Sequence, residues 1–196
     1  IKGYAVEVDV SNAKSVEQMK IDVLKKYESV DIVVNNAGTT HLPAPMETIE
    51  EAEFDRVFNV NCKSVYLTAK HFVPHFKENK SGVILNIAST AGVSPRPNLN
   101  WYNSSKGWMI LASKTMAVEL APFGIRVNVI NPVAGETPLL KSFLGEDTPE
   151  MRAKFLSTIP LGRFSMPEDI ASAALFLCSD SCLLYTSDAA DEGHCV

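Results

Sequence analysis

Apolar and polar positions along the chain change period several times, and each change suggests an element. Tyr4 to Val10 alternates and is β-branched, the pattern of a strand ending at Asp9-Val10. Ser11 then stands where a helix cap is needed, ahead of Val16, Met19, Val23 and Leu24 on one helical face. Asp31-Ile32-Val33-Val34-Asn35 is almost continuously apolar, which predicts a strand buried on both faces of a parallel sheet. Glu50 to Lys80 has helical period, with Pro74 expected to bend or break it. Val83 to Ala88 reads as the next strand, and Tyr102 to Ala121 as a long helix stopped by Pro122 and Gly124. Ile125 to Ile130 alternates as a further strand, closed by Asn131-Pro132. Thr137 to Ile159 looks like an inserted helical segment. Pro167 opens a last helix with Ile170, Ala173, Ala174 and Leu177 on its apolar face.

Strands and helices thus alternate, which predicts an α/β domain built on a doubly wound, Rossmann-like parallel sheet. The 196 residues suffice for one such domain, and 46% hydrophobic with 21% charged residues is ordinary globular composition. A net charge of −5 without a Lys/Arg cluster gives no reason to expect a nucleic acid or an anionic membrane as partner. No apolar run has the length of a membrane span. Cys62, Cys178, Cys182 and Cys195 form no Cys-x-x-Cys pair, so reduced thiols in a cytoplasmic protein are expected rather than zinc or disulfides.

The chemistry concentrates between Asn86 and Lys106. Tyr102 and Lys106 lie four residues apart, hence one turn apart on one helix face. Free tyrosine titrates near ~10, so acid–base work near neutrality needs about three pH units of help, which a nearby ammonium supplies in part. Ser89 follows an apolar strand, at the end where sites sit in open α/β sheets. Taken singly, each has a plainer reading: a solvated lysine beside a half-buried tyrosine, and a serine capping a strand end.

Three further features change that balance. Asn35-Asn36-Ala37-Gly38 closes one strand, Asn59-Val60-Asn61 follows, and Ser89 stands thirteen residues before Tyr102. Together these motifs resemble the short-chain dehydrogenase/reductase family in its single-domain form, from Val6 to about Asp180. The resemblance implies an NAD- or NADP-dependent oxidoreductase that interconverts a carbonyl and a secondary alcohol. It assigns proton transfer to Tyr102, stabilisation of the substrate oxygen to Ser89, and lowering of the tyrosine pKa with ribose binding to Lys106. Asn61 would position a relay water. Asp9 and Val10 match the adenine contacts, and Asn36, Ala37 and Gly38 the segment beside the adenosine ribose. Pro132, Gly135 and Thr137 match the nicotinamide side, although Val133 replaces a usual glycine. No metal is implied.

The resemblance also suggests substrate walls at Ser94 to Trp101, with Pro95, Pro97 and Leu99, and an apolar lid at Leu139, Leu140, Phe143 and Leu144. Arg163 reads as structural. The helices Glu53–Lys77 and Tyr102–Ala121 match those through which the family forms dimers and tetramers. Both ends depart from the pattern. The family's first strand, glycine-rich phosphate turn and second strand have no counterpart, roughly 50 residues or about one and a half βα units. In strand order 3-2-1-4-5-6, the strands at Tyr4 and Asp31 should therefore not touch. Residues 1–180 are read as a partial nicotinamide-binding domain and 181–196 as a non-family tail, so His194 and Cys195 are not taken as metal ligands. The chain on its own is expected to bind coenzyme weakly. The alternative to a working enzyme is an inactive fragment, or a coenzyme-sensing or scaffold protein on the same fold.

Overall fold

The computed structural model describes residues 3–183. Three parallel strands form its sheet, β1 (Ile32–Asn35), β2 (Gly82–Ile87) and β3 (Ile125–Ile130), in the order β1-β2-β3. The register sets Asn35 beside Asn86 and Ile87 beside Ile130, so the carboxyl ends of the strands finish near one level. The helices are α1 (Ala13–Tyr27), α2 (Glu51–Phe58), α3 (Ser64–Asn79), α4 (Asn100–Leu120), α5 (Leu140–Leu144), α6 (Pro149–Leu156) and α7 (Pro167–Cys178). Phe72 and Phe76 of α3 and Ala117 and Leu120 of α4 pack with Ile84, Ile125 and Val127 in one buried cluster. Side chains alternate across a strand, so Ile84 and Asn86 face α3 and α4 while Leu85 and Ile87 point the other way. There α7 packs against β2 and β3.

Several expectations are corrected. Gly3 to Asp9 form no ladder among the described residues, so Tyr4 to Val10 is not a strand. Alternation makes a segment competent for a sheet, but a strand exists only with a neighbour to exchange hydrogen bonds. The segment does not pair with β1. Instead Tyr4 meets the Tyr27 ring edge-on, with centroids 6.3 Å apart. For the same reason β1 is an edge and not a doubly buried strand: Ile32 and Val34 are 44% and 48% exposed. Asn12, not Ser11, caps α1, its Oδ1 accepting from the N–H groups of Lys14 and Ser15. Ser11 turns back and donates to the Asp9 carboxylate.

The long helix from Glu50 to Lys80 is interrupted, but not by Pro74, which sits inside α3. The break is a π-helical turn at Asn59–Lys63, which buries Asn61 and Cys62. The segment from Thr137 to Ile159 resolves into α5 and α6. Leu140, Leu144, Ile159 and Phe164 form a separate small core there. The tail expected to be foreign to the family lies outside the described residues from 184 onward. No helix among the described residues is long and apolar enough to cross a membrane.

Candidate active site

Where β2 ends, Ala88 and Ser89 carry the chain into a 3₁₀ turn, Thr90–Gly92. Ser89 caps that turn, its Oγ accepting from the Ala91 N–H at 3.1 Å. Gly92 lets the turn rest directly on α4: a Cβ there would lie 2.7 Å from the backbone of Lys106 and Gly107. Tyr102 occupies the first turn of α4 and Lys106 the next. Ser89, Tyr102 and Lys106 all line one cavity of about 570 Å³ at the carboxyl end of the sheet. Asn36, Gly38, Pro132, Gly135 and Thr137 line the same cavity. These eight residues, taken from the sequence as candidates, thus border one cavity.

Tyr102 is only 4% exposed. Burial raises its pKa above the ordinary phenol value, and a hydrogen bond with Ser89 opposes the rise. Lys106, equally buried, donates from Nζ to the Ile87 carbonyl at 2.8 Å. Desolvation brings its ammonium down to about 8. The expected control of the tyrosine by the lysine is therefore not in place in this state. Nζ lies 6.0 Å from the Tyr102 ring centroid and is turned towards β2. Sharing a helix face puts two side chains within reach, but the carbonyl at the end of β2 competes for the cation.

Asn61 is fully buried in the π-helical turn. Its Oδ1 accepts from the Thr39 N–H, and its Nδ2 donates to the Thr39 carbonyl and the Ser105 hydroxyl, each at 2.9 Å. It thus ties the loop after β1 to α4. A Cβ on Gly38 would lie 3.5 Å from Lys106 Nζ and 3.7 Å from Asn61 Oδ1, so the absent side chain leaves a gap over both groups. An ammonium carries three donors. One is used on Ile87, and the others face a cavity bordered by Gly38 and Asn36. That donor set fits the hydroxyls of a nicotinamide-coenzyme ribose.

Other predicted residues fall elsewhere. Asp9, Val10 and Ala37 do not line the cavity. The Asp9 carboxylate is exposed and held below its ordinary pKa by hydrogen bonds from Ser11. Of the proposed walls, Ser94 and Leu99 line the cavity, whereas Pro95 and Pro97 do not. Leu139 and Phe143 reach it, with the Phe143 ring centroid 5.1 Å from that of Tyr102. Leu140 and Leu144 instead fill the small core under α5 and α6. Arg163 is structural: it pairs with Asp169 at 2.6 Å and donates to the Phe164 carbonyl.

Sequence reasoning missed the polar chain that crosses the sheet. Thr68 donates to Asn35 at 2.9 Å, Asn35 to Asn86 at 2.7 Å, and Asn86 to Ser113 at 2.8 Å. Asn35 thereby ties β1 to β2. A polar residue inside an apolar strand run, as Asn86 is, was the available signal for the rest. Asn103, whose Nδ2 donates to the Arg96 carbonyl at 2.8 Å, was not anticipated, and Arg96, exposed and lining the cavity, lies within the expected wall of Ser94 to Trp101 without having been singled out.

A family model described as enoyl-(acyl carrier protein) reductase matches residues 1–189. The chain belongs to the short-chain dehydrogenase/reductase family. Its members are NAD(P)-dependent oxidoreductases acting on CH–OH and carbonyl groups, and this chain is one of them. This short-chain dehydrogenase/reductase is 47% identical to the 4-formylbenzenesulfonate dehydrogenase of Comamonas testosteroni, over 94% of its own length and 74% of the relative's. Its fold matches a 3-ketoacyl-(acyl-carrier-protein) reductase from Brucella melitensis complexed with NADH, with a TM-score of 0.88 and 48% identity over 93% of this chain and 74% of that one. ElxO with NADP bound gives a TM-score of 0.86 at 26% identity, over 93% and 73%.

Proposed function

We propose that Tyr102 is the proton donor and acceptor of this NAD(P)-dependent oxidoreductase, acting on a small carbonyl compound or its secondary alcohol. The observation that carries the reading is the convergence of Ser89, Tyr102 and Lys106 on one cavity at the carboxyl end of the sheet. When bound, the nicotinamide supplies or accepts the hydride. In reduction Tyr102 passes its phenolic proton to the carbonyl oxygen, and in oxidation it takes that proton from the alcohol. Ser89 donates to the same oxygen and holds the charge that gathers there. Lys106 gives its two uncommitted N–H groups to the ribose hydroxyls and to the path by which Tyr102 regains its proton. Asn61 keeps one Oδ1 lone pair for a relay water beside Lys106. Asn36 and Gly38 would border the adenosine ribose and Pro132, Gly135 and Thr137 the carboxamide side, while Asp9, Val10 and Ala37 lie outside this cavity.

The same reading carries partners and setting. Trp108, Leu111 and Val118 on α4 and Tyr66 on α3 are exposed, which supports a homodimer or homotetramer through these helices. Free thiols at Cys62, Cys178 and Cys182 fit a reducing compartment such as the cytoplasm. Assays belong at millimolar coenzyme, so that saturation does not limit the rate. The test compares NADH and NADPH oxidation with a small ketone by the wild type and Tyr102→Phe. A fall of roughly 10²–10⁴-fold in kcat is expected. Equal rates in the two proteins would sink the assignment.

A further inference from the structure

The cavity that holds Tyr102 is lined by two charged side chains, Lys106 and Arg96, and by no carboxylate. That is notable in a chain of net charge −5. Lys106 is spent on the Ile87 carbonyl and the proton path. Arg96 has no such duty. Its Nη2 donates to Thr158 Oγ1 at 2.9 Å, and its guanidinium carbon lies 4.0 Å from the Phe155 ring centroid. No ion pair engages it among the described residues. Glu136 and Asp147 are engaged elsewhere, by Arg152, at 2.9 Å and 2.5 Å. The loop carrying Arg96 is fixed to α4 next to Tyr102, because Asn103 holds the Arg96 carbonyl and its own N–H donates to the Leu99 carbonyl at 2.8 Å.

A guanidinium with one neutral partner keeps several donors in a planar fork that matches a carboxylate or sulfonate. Stacking on Phe155 holds the plane without consuming those donors. Phe143, against Tyr102, and Phe155, beneath Arg96, make the wall near both groups aromatic. We infer that Arg96 is the specificity-determining residue for an aryl carbonyl substrate that carries a carboxylate or sulfonate. The aryl ring lies along Phe143 and Phe155, the anion meets Arg96, and the carbonyl is left at Ser89 and Tyr102. The inference rests on the oxidoreductase reading for the direction in which the carbonyl points. The anion site itself does not depend on turnover.

Binding is therefore measured first, by calorimetry, with 4-acetylbenzoate and its neutral counterpart 4-acetylbenzamide. The proteins are the wild type, Arg96→Gln and Arg96→Lys, each checked for an unchanged thermal melt. The wild type should hold the anion roughly tenfold tighter than the amide, as a charge-assisted paired hydrogen bond warrants. Arg96→Gln should erase that preference and leave amide binding unchanged. Arg96→Lys should restore only part of it, since a lone ammonium lacks the fork. Equal affinities for the two ligands in the wild type, no anion binding at millimolar concentration, or an equal fall for both ligands in Arg96→Gln would each overturn the inference. Reduction of both ketones is then followed at millimolar coenzyme, where KM for the anion should rise in Arg96→Gln with kcat little changed. An anion preference in binding without reduction of either ketone would support the Arg96 site and count against the catalytic roles, so the two readings fail separately.

Discussion

Lys106 donates to the Ile87 carbonyl at 2.8 Å and not to Tyr102, its neighbour one turn back on α4. The last carbonyl of β2 thus holds the site's cation in a dry position. The arrangement stores an ammonium that is easily deprotonated, close to a phenol that burial keeps protonated.

One consequence is a stability cost that depends on pH. The folded-state pKa of Lys106 is brought from 10.5 to about 8 by burial, so the unfolded chain binds more protons between those values. Stability contributed by this group therefore rises as pH climbs through that window. It is lowest below about 8, where the buried lysine is charged. A depression of this size amounts to roughly 3 kcal/mol. Lys106→Met should melt several degrees higher than the wild type at pH 7 and lose the proton relay. The gap between the two melting curves should narrow towards pH 9.5. The raised pKa of Tyr102 works in the opposite sense above its ordinary value of 10.0, which is why the comparison stops below it. Calorimetric melts of both proteins across pH 6.5–9.5 check this, and parallel curves would refute it.

Asn61 is expected to matter for stability as much as for turnover. Asn61→Ala removes three hydrogen bonds and leaves the Thr39 and Ser105 groups without those partners. Each buried group left unsatisfied costs about 1–3 kcal/mol. Chemical denaturation should show a loss of several kcal/mol. A variant as stable as the wild type would mean that Asn61 does not clamp the loop after β1.

Gly92 offers a test of how Ser89 is held. In Gly92→Ala the new methyl meets α4 backbone at 2.7 Å, and backbone cannot rotate away. Overpacking of this kind costs roughly 1–3 kcal/mol. The 3₁₀ turn should lift from α4 and carry Ser89 with it, lowering kcat by more than the melting temperature alone would suggest. Unchanged kcat at a temperature where the variant is fully folded would count against the turn's role.

The thiols should differ in reactivity. Burial pushes Cys62 up to about 11, and its Sγ donates to the Ser105 carbonyl at 3.5 Å. Cys178 is half-buried. Iodoacetamide at neutral pH should label Cys178 before Cys62, which should be spared until the protein unfolds. Peptide mapping by mass spectrometry reads the order, and early labelling of Cys62 would contradict the packing around the π-helical turn.

Much of this architecture was legible in the chain. The apolar runs at Val83 and Ile125 gave their strands because each has a neighbour to pair with. Tyr4 to Val10 carries an equally good pattern and no ladder, since pairing is a property of two segments and periodicity describes one. The π-helical turn was hidden because Asn59 to Lys63 keeps the helical spacing of its surroundings, and Pro74, a louder signal, drew the break away from it. Ser89, Tyr102 and Lys106 were readable as a group only through the family resemblance that they complete with Asn35 to Gly38 and Asn59 to Asn61. The Ile87 carbonyl that holds Lys106 was not, because backbone groups leave no mark in a sequence. Arg96 fell within the expected wall of Ser94 to Trp101 but was not singled out, because it stands between Pro95 and Pro97, where a stiff loop was the simpler reading. Its partners Thr158 and Phe155 lie about sixty residues away, and only folding brings them together.

The separate small core of Leu140, Leu144, Ile159 and Phe164 divides responsibility within the site. Tyr102, Lys106 and the anchor for the Arg96 loop all ride on α4, whose packing is shared with the sheet. The opposite wall, α5 and α6, is built on side chains that the sheet does not use. Mutation can therefore reshape that wall one residue at a time, with the reacting groups left where they are. A lineage needing a new substrate would find its cheapest changes there, and its costliest ones along α4.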